Sequence, residues 1–377
     1  CEVTAETPSV QITDVSDTTL DVEANNSESL GEQIVAAGVK AELFDTFAPT
    51  AVYFEGEPDT DYNDDYGTET GFFATYDTGN ETARTRTLIV ANGDTALYRV
   101  KVLVVTKIIT TYAELASLQE YTKVTEGTHS YKPGTGSDKQ VTYYSYEGYF
   151  VLANNLVAKG DEAAFAAKNS GASGDTGATT SLAGFHGTFD GRGYTVSGFK
   201  YALGGIFGDV GNDAVIKNVA FVGCIADDKD YDGAERVDGI GILAVNGIGS
   251  FTVENVLITA RTNSPYGGAL FGRSSSGGTI SNTVLRLNKT GGWTVGAVSA
   301  WNKGNSELNN VYIIFEGSLE NVYGNENPPK YVEGSTVTTM TVEEIADNEF
   351  TGLSETYWTV TEGEMPTSNS MADIESA

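Results

Sequence analysis

Four glycines each stand fourteen positions before an asparagine: Gly204 before Asn218, Gly241 before Asn255, Gly268 before Asn282 and Gly296 before Asn310. Between these fixed points the apolar residues fall in columns. Two positions after each glycine come Ile206, Leu243, Leu270 and Val298, and two before each asparagine come Ile216, Val253, Ile280 and Leu308. Three positions after the asparagine the column reads Phe221, Ile258, Leu285 and Ile313. The asparagines recur at 37, 27 and 28 residues, so one insertion of about ten residues accounts for the longer first gap. A unit repeated at this period, too short to bury a core alone, must stack on copies of itself, which makes the chain a solenoid.

Local spacing says which kind. The residues one position after and two before the asparagine (Ile216 and Val219, Val253 and Val256, Ile280 and Thr283, Leu308 and Val311), apolar except Thr283, lie three apart, which breaks strand alternation at that point. If both point inward, the chain turns a corner there, and asparagine tolerates the left-handed backbone a sharp corner needs. Coils stacked at about 4.8 Å bring equivalent asparagines within amide hydrogen-bonding reach. No amphipathic helical pattern separates these strands, which argues against leucine-rich and other helix-containing repeats. The expectation is an all-β chain whose larger part is a parallel β-helix with its asparagines in one stacked column.

Residues 184–199 (GFHGTFDGRGYTVSGF), then 204–208 (GGIFG), then 216–219 (IKNV), resemble the opening coils of GLUG-type repeat proteins. That likeness covers about 108–377 and implies a right-handed parallel β-helix on a bacterial surface. It carries over no shared catalytic residues. The later coils depart from the pattern, since 241–244 (GILA) and 296–299 (GAVS) lack the Phe-Gly pair.

Ahead of the repeats, 9–107 reads as short strands separated by turn signals, at 9–13, 19–23, 51–54, 71–76, 86–90 and 97–105, with Asn92-Gly93 as a hairpin turn between the last two. Six or seven short strands in this length suggest an Ig-like β-sandwich without the cysteine pair of antibody domains. A short helix is expected within 29–38. The domain reading is therefore a tether at 1–8, the Ig-like β-sandwich at 9–107, the β-helix at 108–367 and a tail at 368–377.

Within the β-helix region, Thr111 and Glu114 form a capping box ahead of a short helix at 113–118, suited to closing the open end of the stack. Residues 123–140 read as a polar loop, 148–153 as the first solenoid strand, and 159–180 as an excursion from the first coils. At the other end, 325–330 (NENPPK) interrupts the coils, 341–346 forms a helical turn, and 355–360 is a strand whose Trp358 buries the last coil.

Acidic residues outnumber basic ones, 52 to 22, for a formal charge of −30. That balance opposes nucleic acid and anionic lipid and suits an extracytoplasmic surface or a secreted protein. No apolar run is long enough to span a bilayer as a helix. Two cysteines, Cys1 and Cys224, are too few for a disulfide framework. Cys1 has two readings: a lipid-attachment site of the kind left by lipoprotein cleavage, giving a lipid anchor, or merely the first residue of a fragment.

The same columns hold no convergent acid–base pair. Hydrolysis of a glycosidic bond needs two facing carboxylates, yet Asp227 and Asp228 are adjacent, without the His and Arg-Ile-Lys elements of pectin hydrolases. Arg236, Arg261, Arg273 and Arg286 share no column, and His129 and His186 sit in unrelated stretches, His186 reading as a turn residue. The expectation is that the chain is not an enzyme but binds glycan or protein ligands through a solenoid face, acting as adhesin or scaffold. Trp293, Trp301 and the tyrosines at 143–146 are the candidate contacts. Edge packing under a loop is the other reading of the two tryptophans. A polysaccharide lyase or glycoside hydrolase on the same scaffold is the alternative function. Calcium is the one cofactor the sequence suggests. Asp228, Asp230 and Asp232, followed by Gly233, match the first half of an EF-hand-type loop, but Gly239 stands where a bidentate glutamate belongs. The acidic run at 59–65 is a weaker calcium candidate, and both also read as solvated acidic loops. Oligomeric state is not legible.

Overall fold

A computed structural model describes residues 20–23, 51–54, 84–92, 95–122, 124–131, 139–157, 164–166, 184–198, 200–203, 205–211, 213–226, 241–262, 266–290, 294–304, 306–316, 321–324 and 334–369. The chain forms two compact units, Cys1–Ile108 and Ile109–Ala377.

In the first unit four described strands make one sheet. Thr85–Asn92 and Thr95–Val105 pair antiparallel up to Asn92 opposite Thr95, the hairpin expected at Asn92-Gly93. Ala51–Phe54 adds antiparallel to one side, and Leu20–Glu23 adds parallel to the other. Arg84 is buried and donates to the Val104 carbonyl at 2.8 Å. Glu23 accepts from both Lys107 Nζ and the Ile108 amide at 2.8 Å, fixing the strand end. The expected strands at 9–13 and 71–76 and the helix within 29–38 lie outside the described residues.

The second unit is a stack of parallel-paired coils. Its largest sheet runs Tyr149–Leu152, Thr188–Asp190, Val215–Ala226, Thr252–Thr262, Thr279–Lys289, Glu307–Glu316, Val337–Thr341, each strand parallel to the next. A second sheet runs Lys139–Tyr146, Gly184–Phe185, Asp209–Val210, Ala244–Ile248, Phe271–Ser276, Trp301–Gly304, again parallel. A third joins Tyr266–Gly268, Thr294–Ser299 and Asn321–Tyr323. Every described pairing between coils links one coil to the next, which is the architecture expected of a parallel β-helix.

The repeated columns are the core. Ile206, Leu243, Leu270 and Val298 are fully buried, as are Ile216, Val253, Ile280 and Leu308, and Phe221, Ile258, Leu285 and Ile313. Each such aliphatic contributes about 1.5–3 kcal/mol by leaving water. The early coils are filled by rings: Phe185 stacks on Phe207 at 5.0 Å and meets Tyr146 tilted at 5.2 Å, with Phe189 edge-on to Phe207 at 5.3 Å.

All four asparagines adopt the left-handed backbone, with φ of 55, 52, 46 and 57° at Asn218, Asn255, Asn282 and Asn310, and register places them one per coil. Asn255 Nδ2 donates to Asn218 Oδ1, and Asn310 Nδ2 to Asn282 Oδ1, both at 3.0 Å. The run is interrupted between those two pairs, where Asn255 Oδ1 is buried without a partner. At the foot, Asp190 Oδ1 accepts from Asn218 Nδ2. The glycines of the repeat are required for a different reason. A Cβ on Gly241, Gly268 or Gly296 would come within 2.6 Å of the carbonyl three residues ahead, Ala244, Phe271 or Ser299 respectively. Close backbone approach, rather than a positive φ, selects glycine there.

The capping box forms as expected: Glu114 N donates to Thr111 Oγ1 and Thr111 N to Glu114 Oε2. It starts a short helix, Tyr112–Leu115, followed by a 3₁₀ turn, Leu118–Tyr121, and both Leu115 and Leu118 join the coil core. Four expectations need correcting. The stretch expected as a polar loop at 123–140 contains Val124–Tyr131, which pairs antiparallel with Lys139–Tyr146. The latter strand in turn pairs with Gly184–Phe185, so solenoid pairing begins before 148. Ser368, assigned to the tail, is in strand Thr367–Ser368, paired with Trp358–Thr359.

The fourth correction concerns Trp358. It is buried, but not beneath the last coil: it clusters with Ala220, Leu257, Val284 and Tyr312, which stand two positions after the four asparagines. These point away from the core, so the segment 343–369 lies as a strap along the outer face of the largest sheet. Ile345, Phe350 and Leu353 complete the cover, Tyr312 Oη donates to the Thr351 carbonyl at 2.7 Å, and Ser368 Oγ donates to the Gly193 carbonyl at 3.2 Å. The cause is legible afterwards: Val-Ala-Phe, Val-Leu-Ile, Thr-Val-Leu and Val-Tyr-Ile after the asparagines are apolar on both faces, and such strands must be covered on both.

Candidate functional site

The second sheet carries an outward column that the repeat pattern does not announce. Register aligns Gly184, Asp209, Asn246, Ser274 and Trp301, one residue per coil. Strand alternation sets its direction: the next residues along, Val210, Gly247 and Ser275, are buried, with Gly247 against Phe271 and the Ser275 hydroxyl 2.6 Å from that of Ser306. Asp209 and Asn246 are partly exposed and tied together. Asp209 Oδ1 accepts from the Asn246 amide nitrogen at 3.1 Å and from Asn246 Nδ2 at 2.9 Å.

Trp301 ends the described column. Its ring meets that of Tyr266 with centroids 4.5 Å apart at 42°, and both residues are half-buried. Tyr266 belongs to the third sheet, so the pair bridges two sheets. Edge packing and surface presentation therefore coexist at Trp301: one aromatic partner braces it while part of it stays exposed. Trp293 lies outside the described residues, as do Asp228, Asp230 and Asp232, the acidic run at 59–65, and Cys1. Tyr146, one of the candidate contact tyrosines, is a core residue instead. Its hydroxyl donates to the Phe207 carbonyl at 3.2 Å, and burial raises its phenol well above the ordinary value of 10.0.

The remaining charged groups are scattered. Arg286 Nε and Asn288 Nδ2 divide the two oxygens of Glu316 between them, at 2.7 and 2.5 Å. Arg261 pairs in register with Asn288 and Arg286 with Thr259, so the two arginines occupy different columns, as their spacing implied. Lys217 lies 3.4 Å from Asp190 Oδ2. His186 follows strand Gly184–Phe185 and packs flat on Gly211, where a Cβ would meet its ring at 2.4 Å. Among the described residues no three His, Cys, Asp or Glu side chains gather as a metal site, and no helix is long and apolar enough to cross a membrane. Sequence reasoning reached Trp301 but missed Asp209, Asn246 and Tyr266. Asp209 and Asn246 share a register column with positions 274 and 301 at offsets of 37, 28 and 27 residues, but differing residue types hide a column that four asparagines reveal.

Compared with protein-family models, with curated proteins and with solved structures, the chain finds no match.

Proposed function

We propose that the chain is a non-enzymatic module of a bacterial cell surface, an adhesin or scaffold that binds glycan or protein ligands through the outer face of its second sheet. In this reading the coil stack is a right-handed parallel β-helix of GLUG type preceded by an Ig-like sandwich. The likeness of 184–219 to GLUG coils supports the first, and the parallel pairing of Leu20–Glu23 with Thr95–Val105 beside an antiparallel hairpin supports the second.

One observation carries the binding role: a half-buried aromatic pair, Trp301 and Tyr266, stands at the end of the register column that holds Asp209 and Asn246. Solenoid faces present extended surface at little ordering cost, and braced aromatics are common anchors of recognition. An array of immobilised glycans and extracellular-matrix proteins, probed with the full chain and with Trp301→Ala, tests it. Capture of at least one ligand class that the substitution abolishes is expected. Equal capture by both proteins would remove the face from the reading. Release of reducing ends or unsaturated uronates from any captured polysaccharide would replace the non-enzymatic reading with the lyase or hydrolase one.

A further inference from the structure

We propose that the column holding Asp209, Asn246 and Trp301 forms a track for an uncharged, linear polysaccharide laid along the coil axis, one sugar per coil. This rests on the binding reading above and names its ligand class.

Geometry comes first. Positions 209, 246, 274 and 301 are consecutive in register, so the column repeats at the spacing of hydrogen-bonded strands, about 4.8 Å. An extended chain of pyranose rings repeats on the same scale, so successive rings meet equivalent positions without the ligand bending. At the far end of the column the next position is Gly184, which carries no side chain to block a longer chain. Beyond Gly184 the register continues to Ser145, and Trp301 stands at the other end of the described column.

Chemistry follows the same line. A sugar offers hydroxyls around its ring and C–H groups on its faces. Asp209 and Asn246 bring carboxylate and amide groups, which accept from and donate to hydroxyls, and their mutual hydrogen bonds hold both in place before a ligand arrives. Trp301, held by Tyr266, offers apolar ring surface of the kind that packs on a sugar face, so the end ring is fixed by stacking.

Charge selects among polysaccharides. Asp209 is a carboxylate within the track, and the chain as a whole carries −30. Uronate and sulfated chains would bring negative charge onto both, a repulsion that neutral gluco- or manno-oligosaccharides do not meet. The acidic composition thus acts as a filter as well as a solubility device.

The test uses the full chain and β-1,4-linked gluco- and manno-oligosaccharides from disaccharide to hexasaccharide, with oligogalacturonates of equal length, followed by calorimetry. Affinity for the neutral series is expected to rise with each sugar and level off near the tetrasaccharide, with the uronates at least about tenfold weaker. Trp301→Ala should weaken binding about tenfold or more, Trp301→Phe less, and Asp209→Asn should narrow the gap between neutral and uronate ligands. Arg261→Ala, on the largest sheet, should change nothing, and thermal melts confirm that each variant is folded. Tighter uronate than neutral binding, no dependence on length, or neutral binding indifferent to Trp301 would each overturn the track. Protein capture that still depends on Trp301 while no oligosaccharide binds overturns the track but leaves the binding face standing. Neither sugar nor protein bound at that face ends both.

Discussion

Asp190 Oδ1 accepts a hydrogen bond from Asn218 Nδ2 at 3.0 Å, so the asparagine column rests on a carboxylate. The same oxygen accepts from the Arg192 amide at 2.9 Å, across a corner where Arg192 has φ 51°, while Oδ2 faces Lys217 at 3.4 Å. One buried side chain therefore closes the column, braces an irregular corner and neutralises a lysine.

Asp190→Ala should destabilise the second unit by about 2–3 kcal/mol, because it leaves the buried Asn218 amide and the Arg192 amide without acceptors. Asp190→Asn retains an acceptor oxygen and loses only the partly exposed ion pair, so its cost should be about 1 kcal/mol or less. Urea melts of the two variants would measure the difference. Equal costs would mean that the Lys217 pair, rather than the corner, is what Asp190 supplies.

Asn255→Leu should cost about 1–3 kcal/mol, by straining a corner at φ 52° and removing the bond to Asn218 Oδ1. Asn255→Gly relieves the strain but not the loss of the amide, and should fall between wild type and the leucine variant. Asn255 Oδ1 is itself unpartnered, so the net loss belongs at the low end for an amide in this column. A glycine variant less stable than the leucine variant would show that backbone strain plays no part at the corner.

What could be read in advance, and what could not, follows from how each position is constrained. The repeated glycines and asparagines were legible because backbone geometry leaves few alternatives: a Cβ at Gly268 would sit 2.1 Å from the Phe271 carbonyl oxygen, and four asparagines share one left-handed corner. Buried columns were legible because every coil needs an apolar residue at the same place. Asp190 was hidden because its corner is spelled differently: register runs at an offset of 27 residues at Asp190–Lys217 and 25 at Thr195–Ala220, so an asparagine search passes over it. The Asp209–Trp301 column was hidden because outward positions are free to vary. Gly352 shows the same limit for the strap, since it lies against the amide of Asn310, with a Cβ 3.2 Å from Nδ2, through a contact that no local pattern encodes.

Alkaline titration should single out Tyr146. Burial raises its folded-state phenol well above 10.0, while in the unfolded chain it ionises near that ordinary value. Its contribution is therefore fully present below about pH 10 and is lost as pH rises from there toward the folded-state value, because the unfolded chain releases a proton that the folded one keeps. Tyr146→Phe should cost about 1 kcal/mol at neutral pH through the lost bond to the Phe207 carbonyl, and its stability should decline less steeply above pH 10. Parallel slopes for the two proteins, followed by denaturant melts across that range, would place the alkaline loss elsewhere.

The strap supplies the last prediction. Trp358, Phe350, Leu353 and Ile345 cover the row Ala220, Leu257, Val284 and Tyr312 on the face turned away from the inner core. Detaching it leaves the inner core intact but exposes a continuous apolar stripe across four coils, of a kind that soluble surfaces rarely leave open. Trp358→Ala removes the largest covering side chain, at a cost of about 3–5 kcal/mol if strap and coils unfold together. If the strap opens as a separate unit, the cost falls on its own opening, and the coils keep their melting point. The hydrogen bond from Ser368 Oγ to the Gly193 carbonyl ties the strap to an early coil and the bond from Tyr312 Oη to Thr351 ties it to a late one, so both ends resist independent release. A single cooperative transition shifted to lower denaturant is therefore expected for Trp358→Ala, with dye binding to exposed apolar surface only within that transition. Dye binding in native buffer with an unchanged main transition would show instead that the strap lifts on its own.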